Sequence, residues 1–528
     1  MTPFANEDAK YHLGHFLIDS LKGTPDAICQ IDGATGESET NASVLRRSIK
    51  FARCLRRFGI KPGDVLALGG RNHLDLHIPY YAALFNGMPI AGVDPLFKYD
   101  EIKCHFKVSS PRVAFCQKEH LKDYLQVIKD LELKTEVICF DDGQYAMKKF
   151  IEQYDDLGEE KAFEPLEFDL DKIYAWLVST GGTTGVLKLA AFKHKKIIDK
   201  VVQLKALFKS KKPINEHIPV LHLSPVQWIS AFFNAVCFPY MQQIKISTSA
   251  APTVEHILDV INKYKPHSAT MAPSLATAII KSEKECDWSC FSNIVVTGSK
   301  IHKDIHLELR KRLRPNAVVL EAYGQTESLG PILIPNPAGP IGNCGVCVPG
   351  WEAIKLVDPD TGKEVTEPNV YGEMWVKSGP LSEYYNNPEE TASAITSDGW
   401  YKTGDILYKD EQGNYFFVER LKMMIKCRGY IVIPSTLEAV IRELPDVQDV
   451  SVTSIFHDED GDRPVACVVR KKGSTITAQE IKDVVKGKLS ESQHLLGGVV
   501  FMDELPITST NKVARGKLRQ MVLTAHRE

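Results

Sequence analysis

The strongest constraint on this chain is an alternation running through its first four hundred residues. Short apolar runs are each followed by a segment with helical spacing. In "NASVLRRSIKFARCLRRFG" the residues Leu45, Ile49, Ala52 and Leu55 fall on one helical face, with Asn41 as the predicted N-cap and Gly59 at the exit. "DVLALGG" then reads as a short buried strand, and "LHIPYYAALFNG" as the next helix. Repeated strand-then-helix units predict parallel sheets covered by helices. In such open sheets, ligands bind beyond the carboxyl ends of the strands.

From "DPDTGKEV" onward the texture changes to turns and short strands, through "YGEMWVKSG" and "DEQGNYFFVE". After Glu419 the chain reads as a basic stretch, a helix, two strands, a helix and a final strand. The last helix opens on "TAQE", where Thr477 and Glu480 have capping-box spacing. The expected architecture is therefore α/β. Residues 1–419 form a large N-terminal domain of helix-covered, mostly parallel sheets with a β-rich subdomain. Residues 420–528 form a small, mobile α+β domain.

A length of 528 residues, 44% hydrophobic and 25% charged, supports a large core and excludes disordered and fibrous classes. The formal net charge of -3 points to neither a nucleic-acid nor a membrane partner, and nothing singles out a protein partner. No basic-then-apolar leader opens the chain, and "LTAHRE" matches no receptor-read address, so a cytoplasmic location is expected. "ISAFFNAVCFPYM" is too short to span a bilayer and reads as buried core. Twelve scattered cysteines predict packed free thiols, and neither "CDWSC" nor "CGVC" has the second ligand pair that zinc requires. "DEDGD" reads as a solvated turn.

One loop stands out against this background. "STGGTTGVLK", Ser179 to Lys188, follows the apolar run "IYAWLV". Backbone N–H groups of a glycine-rich turn converge on anions, and hydroxyls and a terminal lysine add donors and charge. Thr180, Gly182, Thr183, Thr184, Gly185 and Lys188 thus form a candidate polyphosphate cradle. The spacing is not that of a Walker A loop, because Val186 and Leu187 separate Gly185 from Lys188. Taken alone, the loop also fits a flexible turn.

Four further motifs accompany it in order: "EAYGQTES", "GWYKTGD", "ERLKMMIKCRGYIVIP" and "PITSTNKVARGKL". Together the five span nearly the whole chain and resemble the adenylate-forming superfamily of acyl-CoA ligases, peptide-synthetase adenylation domains and luciferases. "EYYNNPE", "GWYKTGDI" and "LLGGVVFMDELP" look closest to insect luciferases and their ligase relatives.

The resemblance implies a role for each motif. Tyr323, Gly324 and Thr326 approach adenine and the α-phosphate, and Glu327 holds Mg²⁺, which favours carboxylate and phosphate oxygens. Asp405 accepts the ribose hydroxyls and Arg420 adds donors. Lys512 bridges the attacking carboxylate and the phosphoryl oxygen in the adenylation step, where the barrier is largely electrostatic. Lys422 is the hinge about which the small domain rotates, bringing Lys426 in for the second step. Gln227, Trp228, Gly298, Ser299, Lys300 and Ala322 fall on the acyl pocket.

Several positions depart from the pattern. Leu187 and Leu189 replace the usual proline and glycine of the phosphate loop, and Asn511 a glycine before the lysine. Gln227 stands where relatives carry a histidine, and Ile431 where glutamine is common. The implied reaction is ATP- and Mg²⁺-dependent adenylation of an apolar or aromatic small-molecule carboxylic acid, followed by thioester formation with CoA. The alternatives are an insect-type luciferase, with O₂ attacking the adenylate, and a non-catalytic nucleotide- or acyl-binding relative.

Overall fold

The computed structural model describes residues 10–155, 163–181, 187–209, 217–299, 301, 303–348, 351–377, 379–507 and 513–528. These divide into two compact units. One comprises the chain up to Gly181, with Leu187–Ala353 and Lys377–Tyr401; the other comprises Ile354–Val376 and Lys402–Glu528.

The first unit holds two seven-stranded sheets and a small three-stranded one. One large sheet runs Val318–Glu321, Asn293–Val296, Ser268–Met271, Pro219–His222, Ile244–Ser247, Ile28–Asp32 and Ser38–Thr40. It is parallel up to its last, antiparallel pair. The other runs Leu381–Tyr384, Leu187–Lys193, Tyr174–Gly181, Ile90–Val93, Leu66–Gly69, Val113–Cys116 and Glu136–Cys139. Its strands from Tyr174 onward in that order are parallel. These strands are mostly apolar, as expected where helices cover both faces of a parallel sheet. The apolar segment around Phe232 is a helix, Ile229–Met241. Buried Tyr80 and Tyr81 donate to the carbonyls of Phe232 and Ala235 in it, at 2.9 Å and 2.8 Å.

The predicted helix after Thr40 is Asn41–Phe58, ending on Gly59 in the left-handed conformation (φ 93°). Its cap is Thr40, not Asn41: the Thr40 hydroxyl accepts from the Ser43 N–H at 3.2 Å. The Asn41 amide is engaged elsewhere, donating to the Thr24 carbonyl at 2.8 Å. A tertiary partner has outcompeted the local cap.

The second unit carries a four-stranded sheet, Ala353–Val357, Gly372–Lys377, Trp400–Lys409 and Tyr415–Arg420. A five-stranded sheet follows, built on the long pair Val447–His457 and Gly461–Arg470. Helices Pro434–Arg442 and Ala478–Lys488 pack on one apolar cluster of this sheet and Arg515–Thr524 on another. The predicted capping box is present, with Thr477 and Glu480 exchanging bonds at 3.2 Å and 2.8 Å. "DEDGD" is a turn with Asp458 and Glu459 exposed, as expected, but one of its carboxylates is not solvated. Asp460 is buried and held by Arg428 at 2.7 Å and Arg463 at 2.5 Å.

All twelve cysteines are free thiols, eight of them buried. Among the described residues no helix is long and apolar enough to cross a membrane. Mixed α/β architecture with parallel-rich sheets is therefore what the alternation encodes.

One strand carries an uncommon burden. Lys245, in Ile244–Ser247, is 3% exposed, with its Nζ 3.2 Å from His77 Nδ1. Burial lowers its pKa to about 8, against the opposing influence of Cys29, Glu39 and Asp32. The unfolded chain keeps that proton until about pH 10.4. Between those values the unfolded state binds more protons, so stability rises with pH. The wild type should therefore gain on Lys245→Met as pH climbs from 8 to 10, by at most about 1.4 kcal/mol per unit. Parallel denaturation curves across that window would be the sign that the charge is not buried in the native state.

Candidate functional site

The strand Tyr174–Gly181 delivers the glycine-threonine loop, and Leu187–Lys193 pairs back on it with Thr180 opposite Lys188. Ser179 donates to the Gly92 carbonyl on the neighbouring strand at 3.3 Å. Gly182, Thr183, Thr184 and Gly185 lie outside the described residues, as do Lys300 and Lys512.

The "YGQTE" motif forms a strand, Tyr323–Gln325, a single 3₁₀ turn, Thr326–Ser328, and a return strand, Gly330–Ile334. Gly324 is required sterically. A Cβ there would lie 2.2 Å from the Gly330 carbonyl oxygen, closer than any side chain permits. The Ser328 hydroxyl, donating to Gln325 and Gly330 carbonyls, ties the turn shut. This geometry presents Glu327 inward, 7% exposed.

Two hydroxyls hold Glu327. Thr180 and Tyr384 donate to its Oε1 at 3.0 Å and 2.8 Å. Burial, then the adjacent Glu327 charge and hydrogen bond, push the Tyr384 phenol well above its ordinary pKa, so it remains a donor. Lys188 lies over the Tyr384 ring, 5.0 Å from its centroid, and pairs with Glu390. Glu390 sits on the helix Pro388–Ala394, whose start is capped by Asn387. Thr180, Lys188 and Glu327, three of the residues predicted from sequence, thus share one bonded cluster with Tyr384 and Glu390.

Residues of the predicted acyl pocket adjoin it. Thr297 donates to the Ala322 carbonyl at 3.1 Å, which brings Gly298 (φ 99°) and Ser299 beside the "YGQTE" strand. Gln227 is buried, and a Cβ on Gly92 would lie 2.8 Å from its Cα. Its Oε1 has no hydrogen-bond partner among the described residues. Trp228 is the N-cap of the helix Ile229–Met241. Among the described residues no group of three or more His, Cys, Asp and Glu is placed to hold a metal. One buried carboxylate beside hydroxyls fits Mg²⁺, which takes few protein ligands and completes its shell with phosphate and water.

In the second unit, "TGD" is a constrained corner. Thr403 donates to the Met374 carbonyl at 2.7 Å, and the Gly404 N–H donates to Glu373 Oε1 at 2.9 Å. Asp405 follows, 3% exposed, with Arg420 Nε 3.3 Å from its Oδ1 across the antiparallel pair. Lys422 is exposed on the 3₁₀ turn Leu421–Met423. Lys426 is exposed as well, with Nζ 3.4 Å from Asp360 Oδ1.

The family model described as AMP-binding enzyme matches residues 17–385, and the model for the C-terminal domain of AMP-binding enzymes matches 436–512. The chain belongs to the AMP-binding enzyme family. It is 31% identical to a luciferin 4-monooxygenase of Photuris pensylvanica, over 92% of this chain and 90% of that protein. It is 28% identical to 4-coumarate–CoA ligase 2 of Petroselinum crispum, over 96% and 93%. The fold matches that of ATP-bound MatB from Rhodopseudomonas palustris with a TM-score of 0.85, at 22% identity, over 97% of this chain and 99% of that one. This AMP-binding enzyme is thus a member of the adenylate-forming ligases, with both CoA-ligase and luciferase relatives.

Three charged or hydroxyl residues of this AMP-binding enzyme escape motif reading. Tyr384 lies in "EYYNNPE" and Glu390 directly after it, where nothing local marks them as partners of Glu327 and Lys188. Arg515 lies within the closing motif but pairs elsewhere. It stands 2.9 Å from Glu438, 3.8 Å from Glu419, and donates to the Val452 carbonyl at 3.0 Å. Burial raises the pKa of Glu419, and Arg515 opposes that rise. Arg515 therefore fastens the strand ending in Arg420 to the helix that follows Lys512. Arg515→Met should cost about 3 kcal/mol of stability, because it strands two buried carboxylates. Equilibrium unfolding in denaturant reads this, and a loss under about 0.5 kcal/mol, the usual effect of a surface change, would refute the clamp.

Proposed function

We propose that this protein uses Mg-ATP to adenylate an apolar or aromatic carboxylic acid, releases pyrophosphate, and then transfers the acyl group to CoA as a thioester. The observation that carries the reading is the bonded set Thr180–Glu327–Tyr384 beside Lys188. It joins the phosphate-loop strand to the "YGQTE" turn. Bound magnesium supplies charge neutralisation on the phosphates and is held by Glu327. Lys188 exchanges Glu390 for an outer phosphate oxygen, while Thr180 and Thr326 donate toward the phosphates. Tyr323 faces the purine, and Asp405 with Arg420 takes the ribose.

The acid binds along Ala322, Gly298, Ser299 and the Gln227–Trp228 segment. The unpartnered Gln227 Oε1 offers an acceptor to a hydrogen-bond donor on an otherwise apolar acid. Lys512 offsets the repulsion between carboxylate and α-phosphate in the transition state, when the two anions meet. We take residues 420–528 as a mobile lid turning about Lys422. Rotation withdraws Lys512 and brings in Lys426 for thioester formation.

A second reading is favoured by the luciferin 4-monooxygenases among the relatives. In it, O₂ rather than CoA meets the adenylate, and light is emitted.

A panel of carboxylic acids read by pyrophosphate release, with and without CoA and with photon counting, separates these. CoA-dependent consumption marks the ligase, and light with ATP and O₂ marks the luciferase. No acid-dependent pyrophosphate across a broad panel sinks adenylation itself.

Two variants test the division of labour. Lys512→Ala should lose about 10²–10³-fold in adenylation while sparing transfer from supplied adenylate. Equal loss in both steps is the contrary result. Glu390→Gln should bind ATP more tightly, by about fivefold, since it releases a pair worth about 1 kcal/mol that phosphate otherwise has to displace. Calorimetric titration with ATP measures this, and weaker binding would show Glu390 to be a nucleotide ligand instead.

A further inference from the structure

Sequence spacing draws the eye to Cys286 with Cys290 and to Cys344 with Cys347, yet the structure brings a different pair together. Cys116 and Cys139 end two adjacent parallel strands, Val113–Cys116 and Glu136–Cys139, and are direct partners across the ladder. Their sulfurs are 3.8 Å apart. Both are buried, at 1% and 3% exposure, under the cluster that includes Ile102, Phe106 and Tyr124. Strand spacing of about 4.8 Å falls within the Cα separation of about 4.4–6.8 Å that a disulfide spans. Closing the bond therefore needs rotation of side chains and a small local adjustment, with no rearrangement of the sheet.

We propose that Cys116 and Cys139 are a peroxide-responsive modification site that closes to a reversible disulfide. The step balances as two thiols plus one hydrogen peroxide giving one disulfide and two waters. The Cys139 sulfur attacks one peroxide oxygen, the O–O bond breaks, and water leaves with a sulfenic acid on Cys139. The Cys116 sulfur then attacks the Cys139 sulfur and displaces the hydroxyl, which departs as the second water with the Cys116 proton. A small-molecule dithiol returns both thiols by exchange.

The assignment of roles follows from the contact itself. The two thiols share one hydrogen bond in which either sulfur can donate, and the contact lowers the Cys139 pKa and raises that of Cys116. Cys139 is thus the readier nucleophile and Cys116 the resolving thiol. Both residues are the last of their strands, and the segment after Cys139 returns at once, with the Cys139 N–H donating to the Tyr145 carbonyl at 2.7 Å.

The test uses the reduced full-length protein, treated with graded hydrogen peroxide, unfolded, alkylated and mapped by mass spectrometry. Cys104, the exposed cysteine, gauges general oxidation. The expected result is a linked Cys116–Cys139 peptide that appears at or below the peroxide level that consumes Cys104. Dithiothreitol should reverse it. In Cys116→Ser, Cys139 should instead proceed to sulfinic acid, having lost its resolving partner. Full oxidation of Cys104 with both strand thiols still alkylatable overturns the proposal. So does conversion of wild-type Cys139 to sulfinic acid without the link.

Discussion

A buried carboxylate organises the bonded cluster at the end of the phosphate-loop strand. Glu327 is 7% exposed and is held by hydroxyl donors from Thr180 and Tyr384, contributed by strands far apart in sequence. Hydroxyls satisfy the lone pairs of a carboxylate without cancelling its charge. The nearby cation, Lys188, pairs instead with Glu390. Glu327 thus has no ion-pair partner among the described residues, which is the feature on which the proposed magnesium role rests. Had Lys188 reached Glu327, each would have quenched the other.

Close backbone approach fixes that carboxylate in place. Gly324 lies against Gly330, and the turn between them leaves Leu329 in the left-handed region at φ 50°. A non-glycine residue in that region is uncommon and persists only where surrounding bonds impose it. Here the Ser328 hydroxyl imposes it through its bonds to Gln325 and Gly330. Gly92 plays the same part on the neighbouring sheet. It lets the Gln227 backbone come close enough that the predicted acyl pocket and the phosphate-loop strand share one neighbour. Both glycines matter because they admit backbone where no side chain fits.

What was legible in the sequence, and what was not, follows the range of the forces involved. Periodicity placed the helix Asn41–Phe58 and its left-handed exit at Gly59, and capping chemistry placed Thr477 with Glu480, because those forces act within a turn or two. The N-cap was misassigned by one residue, since Asn41 is drawn away by Thr24, 17 positions earlier. Motif order identified the superfamily and brought Thr180, Lys188 and Glu327 into view. It missed Tyr384 and Glu390, whose partners lie 57 and 202 residues away. It equally missed the Cys116–Cys139 contact, set by strand register, and the buried Asp460, which reads locally as a turn. Long-range pairing leaves no mark in local spacing.

The buried cations show why the Lys188 site is distinct in kind. Lys200 is 6% exposed, lies 4.7 Å from the Trp351 ring, and approaches the Pro331 carbonyl at 3.4 Å. Burial lowers its pKa to about 8, as it does for Lys245 against His77. Neither lysine has a carboxylate within ion-pair range among the described residues, so more distant groups offset only part of the desolvation cost. Lys188 is nearly as enclosed, yet its partner Glu390 is 38% exposed. An exposed carboxylate is readily rehydrated when it is displaced, so exchanging it for another anion costs little. The arrangement stores a positive charge in a polar, sheltered corner and leaves its counter-ion free to depart. That exposed counter-ion separates Lys188 from Lys200 and Lys245, and it is the property on which its proposed phosphate role rests.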